Sequence, residues 1–267
     1  MTIQDTKTAS SEQSAGTFPH RLDGKVALVV GGTGAIGTAT AKLLRDAGAT
    51  IIITYRDNPR IDAELERVAD TLGDDVTILP ADVADTASLI ALRDTIQRDF
   101  GRLDILINSA GYTVPVKHSD LDALTDELID RMFEVNWRGQ FAAIRTFAPM
   151  LKESGDGLVV SLSSIAGMNG IGSSIAYCAA KAGIDVMTKS LARSLAPEIR
   201  VLAVSPGVVD TEFVAGRGAD FNTKVAQTIP VGRVASAQDV AAAIAACATM
   251  LTYSTGHNIL VDGGRAL

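Results

Sequence analysis

Seven short runs in this chain are almost wholly apolar, without the every-second-residue alternation of a strand that has water on one face. They are VALVV (26–30), TIII (50–53), VTIL (76–79), LDILIN (103–108), GLVVSLS (157–163), VLAVS (201–205) and NILVD (258–262). A strand that is apolar on both faces must be covered on both, as in a parallel sheet between two layers of helices. Helical stretches such as IGTATAKLLRDAG and the alanine-rich AQDVAAAIAACATML separate the runs. This alternation predicts an α/β fold, a doubly wound parallel sheet of about seven strands.

No internal repeat and no second set of core segments is evident, and 267 residues with 47% hydrophobic content suit one domain of this class. That domain is expected over 21–267, preceded by a polar, disordered tail (1–20) that lacks the apolar core of a signal peptide and carries Asp5 and Glu12. The stretch 208–235 is the one long break in the rhythm, expected as a substrate loop. A net charge of -7 and no Lys/Arg run argue against nucleic acid or an anionic membrane surface as partner. No apolar run is long enough to span a bilayer. Cys178 and Cys247 match neither a disulfide framework nor a zinc site. A cytoplasmic protein without a metal is the expectation.

The first run leads directly into Gly31-Gly32-Thr33-Gly34-Ala35-Ile36-Gly37 and then a helix. Glycines at such a turn let the chain bend tightly and let the backbone approach a pyrophosphate. The helix N-terminus then offers free N–H groups and the positive end of its dipole. Two spacings fit: Gly32-x-Gly34-x-x-Gly37 of the general dinucleotide fingerprint, and a longer variant using Gly31, Ala35 and Gly37. A glycine turn that binds nothing is the alternative. Behind the second run stand Thr54-Tyr55-Arg56-Asp57. A carboxylate there would hold the adenosine ribose hydroxyls of NAD, and an arginine the 2′-phosphate of NADP. Arg56 favours NADP(H) over NAD(H), with Asp57 the opposing residue and Tyr55 a candidate cofactor contact.

Tyr177 and Lys181 sit at i and i+4 near the start of a predicted helix, so both side chains can face one site. A free tyrosine, with a pKa of about 10, is a poor acid at neutral pH, and a neighbouring cation lowers that value. A lone Tyr-x-x-x-Lys is common by chance. Here it occurs together with the glycine turn, Asn108-Ser109-Ala110-Gly111 after the fourth run, Asn136, Ser164, and Pro206-Gly207 after the sixth.

With these motifs in this order, from about Leu22 to Val261-Asp262-Gly263-Gly264, the chain resembles the short-chain dehydrogenase/reductase family, in particular its 3-oxoacyl-(acyl-carrier-protein) reductase-like members. The resemblance implies a Rossmann-type fold assembled as a homotetramer or dimer. It implies Tyr177 as proton donor and acceptor. Ser164, thirteen positions earlier, is implied as the hydrogen-bond donor to the substrate oxygen, with Ser163 in reserve. Lys181 is implied as the residue that holds the nicotinamide ribose and lowers the pKa of Tyr177, and Asn136 as one that shapes a proton-relay water chain. Cofactor contacts are implied at Gly31, Thr33, Gly34, Ala35, Ile36 and Gly37, and at Asp82 and Val83 beside the adenine. Asn108, Ala110 and Gly111, then Pro206, Gly207, Val209 and Thr211 on the nicotinamide side, complete the set.

Val30 stands where the family usually has threonine, and Ala35 where it has its second glycine. Ala35 adds one methyl and is expected to be tolerated at negative φ. Gly34 holds a place that is basic in some NADP-preferring relatives, and Leu202 one that is often asparagine. The implied activity is NADP(H)-dependent hydride transfer to or from a carbonyl or secondary alcohol carbon of a small molecule, with 3-oxoacyl or other ketone reduction favoured. The substrate pocket is expected near Tyr112–Val116, Ile165–Ile171 and 208–235. Val114, Ile165, Met168, Ile171, Val208 and Phe213 would make it apolar, and Arg217 could meet an anion. A non-catalytic nucleotide-sensing regulator, or epimerase- or dehydratase-like use of the same site, are the rival readings.

Overall fold

The computed structural model describes residues 20–58, 61–73, 75–214 and 220–267, so the expected N-terminal tail lies outside the described residues but for His20. Seven strands form one parallel sheet: β1 (Val26–Val30), β2 (Thr50–Tyr55), β3 (Val76–Pro80), β4 (Ile105–Asn108), β5 (Gly157–Leu162), β6 (Ile199–Pro206) and β7 (Asn258–Val261). Their order across the sheet is β3-β2-β1-β4-β5-β6-β7, and every pairing is parallel. All seven strands match the apolar runs to within two residues at either end. β4 starts two residues later than the run LDILIN suggests. At Asp104 the side chain carboxylate, not a neighbouring backbone carbonyl, accepts the Val26 N–H at 2.9 Å.

The period of two along each strand sorts its residues between two cores. Ala27 and Val29 of β1 face one side, where Leu44, Val68 and Ile244 pack. Val26, Leu28 and Val30 face the other, against Ile96, Phe147 and Ile184. The first side is therefore covered by α1 (Ala35–Asp46), α2 (Ile61–Leu72) and α9 (Ala237–Thr249). The second is covered by α3 (Thr86–Phe100), α5 (Gly139–Glu153) and α7 (Ile175–Leu195). Shorter helices are α4 (Asp126–Phe133), α6 (Ala166–Asn169) and α8 (Phe221–Ala226), with a π-helical turn over Glu134–Arg138 between α4 and α5. α9 begins with a capping box: Asp239 N–H donates to the Ser236 hydroxyl, and the Asp239 carboxylate accepts Ser236 N–H at 2.7 Å. Alanines along α1 and α9 let the two helices lie against one another. Leu202, whose place is often asparagine in the family, is fully buried in the first core.

Strand order reverses direction between β1 and β4, which leave the centre of the sheet toward opposite edges. The loops after these two strands diverge, and the crevice between them is where an open α/β sheet binds ligands.

The lower end of the sheet is tied by Asp104, which is fully buried. Burial pushes its carboxyl up, but bonds from Arg102, the Val26 N–H and Lys25 outweigh that and leave it below the ordinary aspartate range. A depressed folded-state pKa stabilises the fold above the ordinary aspartate range, and the contribution disappears as pH falls through the folded value. Asp104→Asn should therefore cost about 1.5–3 kcal/mol at pH 7. Thermal unfolding across pH would show the gap between wild type and variant closing at the acid end; a gap independent of pH would contradict the charge-based account.

Candidate active site

β1 ends on Val30 and the chain turns through Gly31, which has φ +75°. A Cβ there would lie 2.7 Å from the Ala110 backbone beyond β4, so the turn and the β4 loop touch main chain to main chain. Gly32 faces Ile53 of β2 at 2.4 Å from a hypothetical Cβ, and Gly37 faces the Gly31 carbonyl at 2.5 Å. These three glycines are required by space. Gly34 is not, since its Cβ would meet nothing closer than 3.5 Å. Gly34 is the N-cap of α1 and offers no capping side chain, which leaves the first N–H groups of the helix for an anion. Ala35 begins the helix, and no described residue other than glycine has positive φ, so its methyl is accommodated. The Gly31 N–H donates to Thr54 Oγ1 at 3.0 Å, a brace from β2 where Val30 offers no hydroxyl.

Two concavities meet at the crevice and share Ser109, Ala110, Gly111 and Phe213. The smaller, about 390 Å³, runs toward β2 and β3 and is lined by Gly31, Thr33, Gly34, Tyr55, Arg56, Asp82 and Val83. Asp57 does not line it, whereas Glu64 does, its carboxylate accepting the Thr33 hydroxyl at 3.1 Å. The Asp82 carboxylate accepts the Ala84 N–H at 2.9 Å and so shapes its own loop. The larger, about 750 Å³, is lined by Ala35, Ile36, Ser164, Tyr177, Lys181, Pro206, Gly207, Val209 and Thr211. Uncapped helix, space-limited glycines and an arginine at the end of β2 match a dinucleotide laid across β1 and β4, so the residues present fit such a cofactor.

Tyr177 is held at the start of α7, whose N-cap Ser174 accepts the Tyr177 N–H at 3.2 Å. Lys181, one turn on, is buried, and its Nζ donates to the Leu162 carbonyl at 2.7 Å at the end of β5. The ammonium lies 5.6 Å from the centroid of the Tyr177 ring. Burial pulls the pKa of Lys181 down to about 7, with the charge of Asp185 opposing. Asp185, a further turn along, is itself raised, chiefly by burial. The two neighbouring serines divide their roles. Ser163 Oγ donates to the Lys181 carbonyl at 3.1 Å inside the core. Ser164 Oγ accepts the Ala166 N–H at 3.2 Å, which leaves its hydroxyl proton for a group in the cavity.

Three expected site residues do not line either concavity. Gly37 acts by letting α1 close on the turn. Asn108 is buried at the end of β4, and its Nδ2 donates to Ser161 Oγ of β5 at 3.4 Å. Asn136 is fully buried in the π-helical turn. Its amide donates to the Tyr112 and Met132 carbonyls and accepts the Tyr112 N–H at 3.1 Å, all backbone partners. Asn136 thus fixes the loop after β4.

Of the expected apolar wall, Ile165, Ile171, Val208 and Phe213 line the cavity, while Val114 and Met168 do not. Met168 projects from α6 toward solvent, 53% exposed. The 112–116 loop is pinned to the opposite wall by Val116 N–H to Ser173 O at 2.8 Å. The Phe213 ring leans on Tyr177 with centroids 6.2 Å apart. The 208–235 segment is closed at its neck by Val209 paired with Ala235, and it supplies Val208, Thr211, Phe213 and Phe221 to the cavity. Arg217 lies outside the described residues. Glu64 and Arg265 line the concavities without belonging to the quoted motifs or the expected pocket segments, and only adjacency to Gly263-Gly264 could have pointed to Arg265. Among the described residues there is no cluster of three or more His, Cys, Asp or Glu able to hold a metal, and no helix long and apolar enough to cross a membrane.

A family model described as enoyl-(acyl carrier protein) reductase matches residues 31–266. The chain belongs to the short-chain dehydrogenase/reductase family, NAD(P)-dependent oxidoreductases acting on CH–OH and C=O groups. It is 36% identical over 246 residues to ketoacyl reductase 2 of the granaticin polyketide synthase of Streptomyces violaceoruber, covering 91% of this chain and 96% of that one. A cis-4-hydroxycyclohexanecarboxylate dehydrogenase of Sinomonas cyclohexanicum is also 36% identical, over 90% of this chain and 96% of its own. A crystal structure of a short-chain dehydrogenase/reductase from Burkholderia xenovorans superposes with a TM-score of 0.84 at 33% identity, over 90% of this chain and 97% of that one.

The steric account of the turn separates its glycines. Gly37→Ala should abolish or weaken cofactor binding at least tenfold, or prevent folding, while Gly34→Ala should bind within about threefold of wild type. Titration of nucleotide by intrinsic fluorescence distinguishes them, and equal effects at the two positions would contradict the geometry.

Proposed function

We propose that the chain is an NADP(H)-linked oxidoreductase that interconverts a ketone and a secondary alcohol, with Tyr177 as the group that donates and accepts the proton. The observation that carries this reading is the convergence of Tyr177, Ser164 and Lys181 on one cavity that opens onto the glycine turn. A bound nicotinamide supplies or takes the hydride. In reduction the Ser164 hydroxyl donates to the carbonyl oxygen and steadies charge developing there, and Tyr177 passes its proton to that oxygen. Lys181 keeps positive charge beside the ring as the phenolate forms. Its ammonium is fixed by Leu162 O and so needs no reorganisation during the step. Oxidation runs through the same contacts in reverse.

The preference for NADP(H) rests on Arg56, which lines the adenosine end of the groove while Asp57 does not. An arginine there can pair with a 2′-phosphate through two N–H groups. Glu64 is a carboxylate in the same region, but Thr33 already donates to it. The names of relatives divide the substrate between ketoacyl groups and a hydroxylated ring acid, and both fit a cavity walled by Ile165, Val208 and Phe213. The reading includes a cytoplasmic homo-oligomer, dimer or tetramer, which light scattering would measure.

Tyr177→Phe should lower kcat by about 10²–10⁴-fold in NADPH-dependent ketone reduction, with nucleotide affinity within about threefold of wild type. Near-normal turnover by that variant would end the assignment. Arg56→Ala should raise the KM for NADPH about tenfold or more and leave that for NADH nearly unchanged. A wild-type enzyme that turns over faster with NADH than with NADPH at equal concentration would overturn the cofactor preference.

A further inference from the structure

We infer that Arg265 makes this cavity selective for substrates that carry a free carboxylate at the end away from the reacting carbon. The inference rests on the ketone–alcohol reading, since it takes the Tyr177 end as the reacting one. Arg265, followed in the sequence by Ala266 and Leu267, lines the cavity that holds Tyr177 and Ser164. Its place is set by a built turn. Gly263 and Gly264 both have positive φ, +64° and +86°, and reverse the chain after β7. The Asp262 carboxylate accepts the Gly264 and Ala266 N–H groups at 2.9 and 2.8 Å. Val231 N–H donates to the Gly263 carbonyl at 3.1 Å and ties this turn to the 208–235 segment.

The guanidinium is anchored but not neutralised. Arg265 Nη1 donates to Thr228 Oγ1, and the Thr228 hydroxyl donates onward to the Val225 carbonyl at 2.8 Å. No carboxylate forms an ion pair with Arg265 among the described residues, in contrast to Arg93, Arg98, Arg102 and Arg233, each of which has one. Glu212, the acidic side chain that lines the same cavity, is engaged in an interaction of its own. The other cation in the cavity, Lys181, is committed to Leu162 O at its floor. The same cavity is also lined by the apolar side chains of Ile165, Val208, Phe213 and Phe221. A planar fork with unused N–H groups matches a carboxylate, and the apolar wall favours a hydrocarbon body. The cavity thus fits an oxo or hydroxy acid with a compact apolar body better than an uncharged thioester.

The test pairs 4-oxocyclohexanecarboxylate with its methyl ester as substrates for the full chain with NADPH, alongside calorimetric binding of unreactive cyclohexanecarboxylate to the NADP-saturated protein. The wild type is expected to favour acid over ester at least tenfold in kcat/KM. Arg265→Met should reduce that ratio at least tenfold, mainly through KM, and Arg265→Lys should restore part of it. An acid-to-ester ratio that is the same in wild type and Arg265→Met overturns the inference. Cyclohexanecarboxylate binding that is lost in Arg265→Met supports it even if neither ketone is turned over, an outcome that would sink the ketone–alcohol reading alone. Failure of the wild type to bind cyclohexanecarboxylate overturns the inference whatever the turnover.

Discussion

The close approach of Gly31 to Ala110 is the contact on which the site depends. β1 and β4 are neighbours from which the chain winds in opposite directions, and a side chain at Gly31 would hold their loops apart. With hydrogen there, the loops meet at their bases and diverge above, where the two concavities join. α1 then starts directly over the contact, held down by Gly37 against the Gly31 carbonyl. One main-chain contact thereby sets the helix N-terminus, the junction of the two concavities and the distance between them.

The second constraint is a buried ammonium. Placing Lys181 in the core costs solvation, and the cost appears as a pKa drawn down to about 7. The fold offsets it with the Leu162 carbonyl and the charge of Asp185, both on elements fixed by the sheet. The nearby Ser163 donates to the main chain of the same helix, whereas Ser164 accepts from Ala166 N–H and lines the cavity.

The strands, the glycine turn and the Tyr177–Lys181 pair were legible in the sequence because each is set by local pattern: runs apolar on both faces, φ values only glycine tolerates, and i, i+4 spacing. What the pattern could not convey is where a side chain at the end of an element points. Asn108 follows Leu106 by two and shares its face of the sheet, so its amide meets Ser161 in the partner strand. Asn136 sits in a π-helical turn, and its partners Tyr112 and Met132 are known only once the β4 loop is folded against it. Met168 and Val114 have the right composition for a pocket wall, but composition carries no direction on a one-turn helix or a pinned loop.

The unequal legibility follows how the cavity is built. Its floor, with Ser164, Tyr177 and Lys181, stands on β5 and α7, which the sheet and both cores hold in register. Another wall comes from the 208–235 segment and the turn after β7, which are joined to one another by contacts such as Val231 N–H to Gly263 O, while Val209 pairs with Ala235 at the neck of the segment. Chemistry that needs fixed geometry belongs on the floor, whereas recognition can differ from one member of a family to another by changes in the loops alone. Arg265 is a residue of the wall: nothing in the catalytic spacing requires it, and replacing it would leave β5, α7 and the glycine turn in place. The class of reaction is thus written in elements that the sheet fixes, and the class of substrate in a turn near the end of the chain.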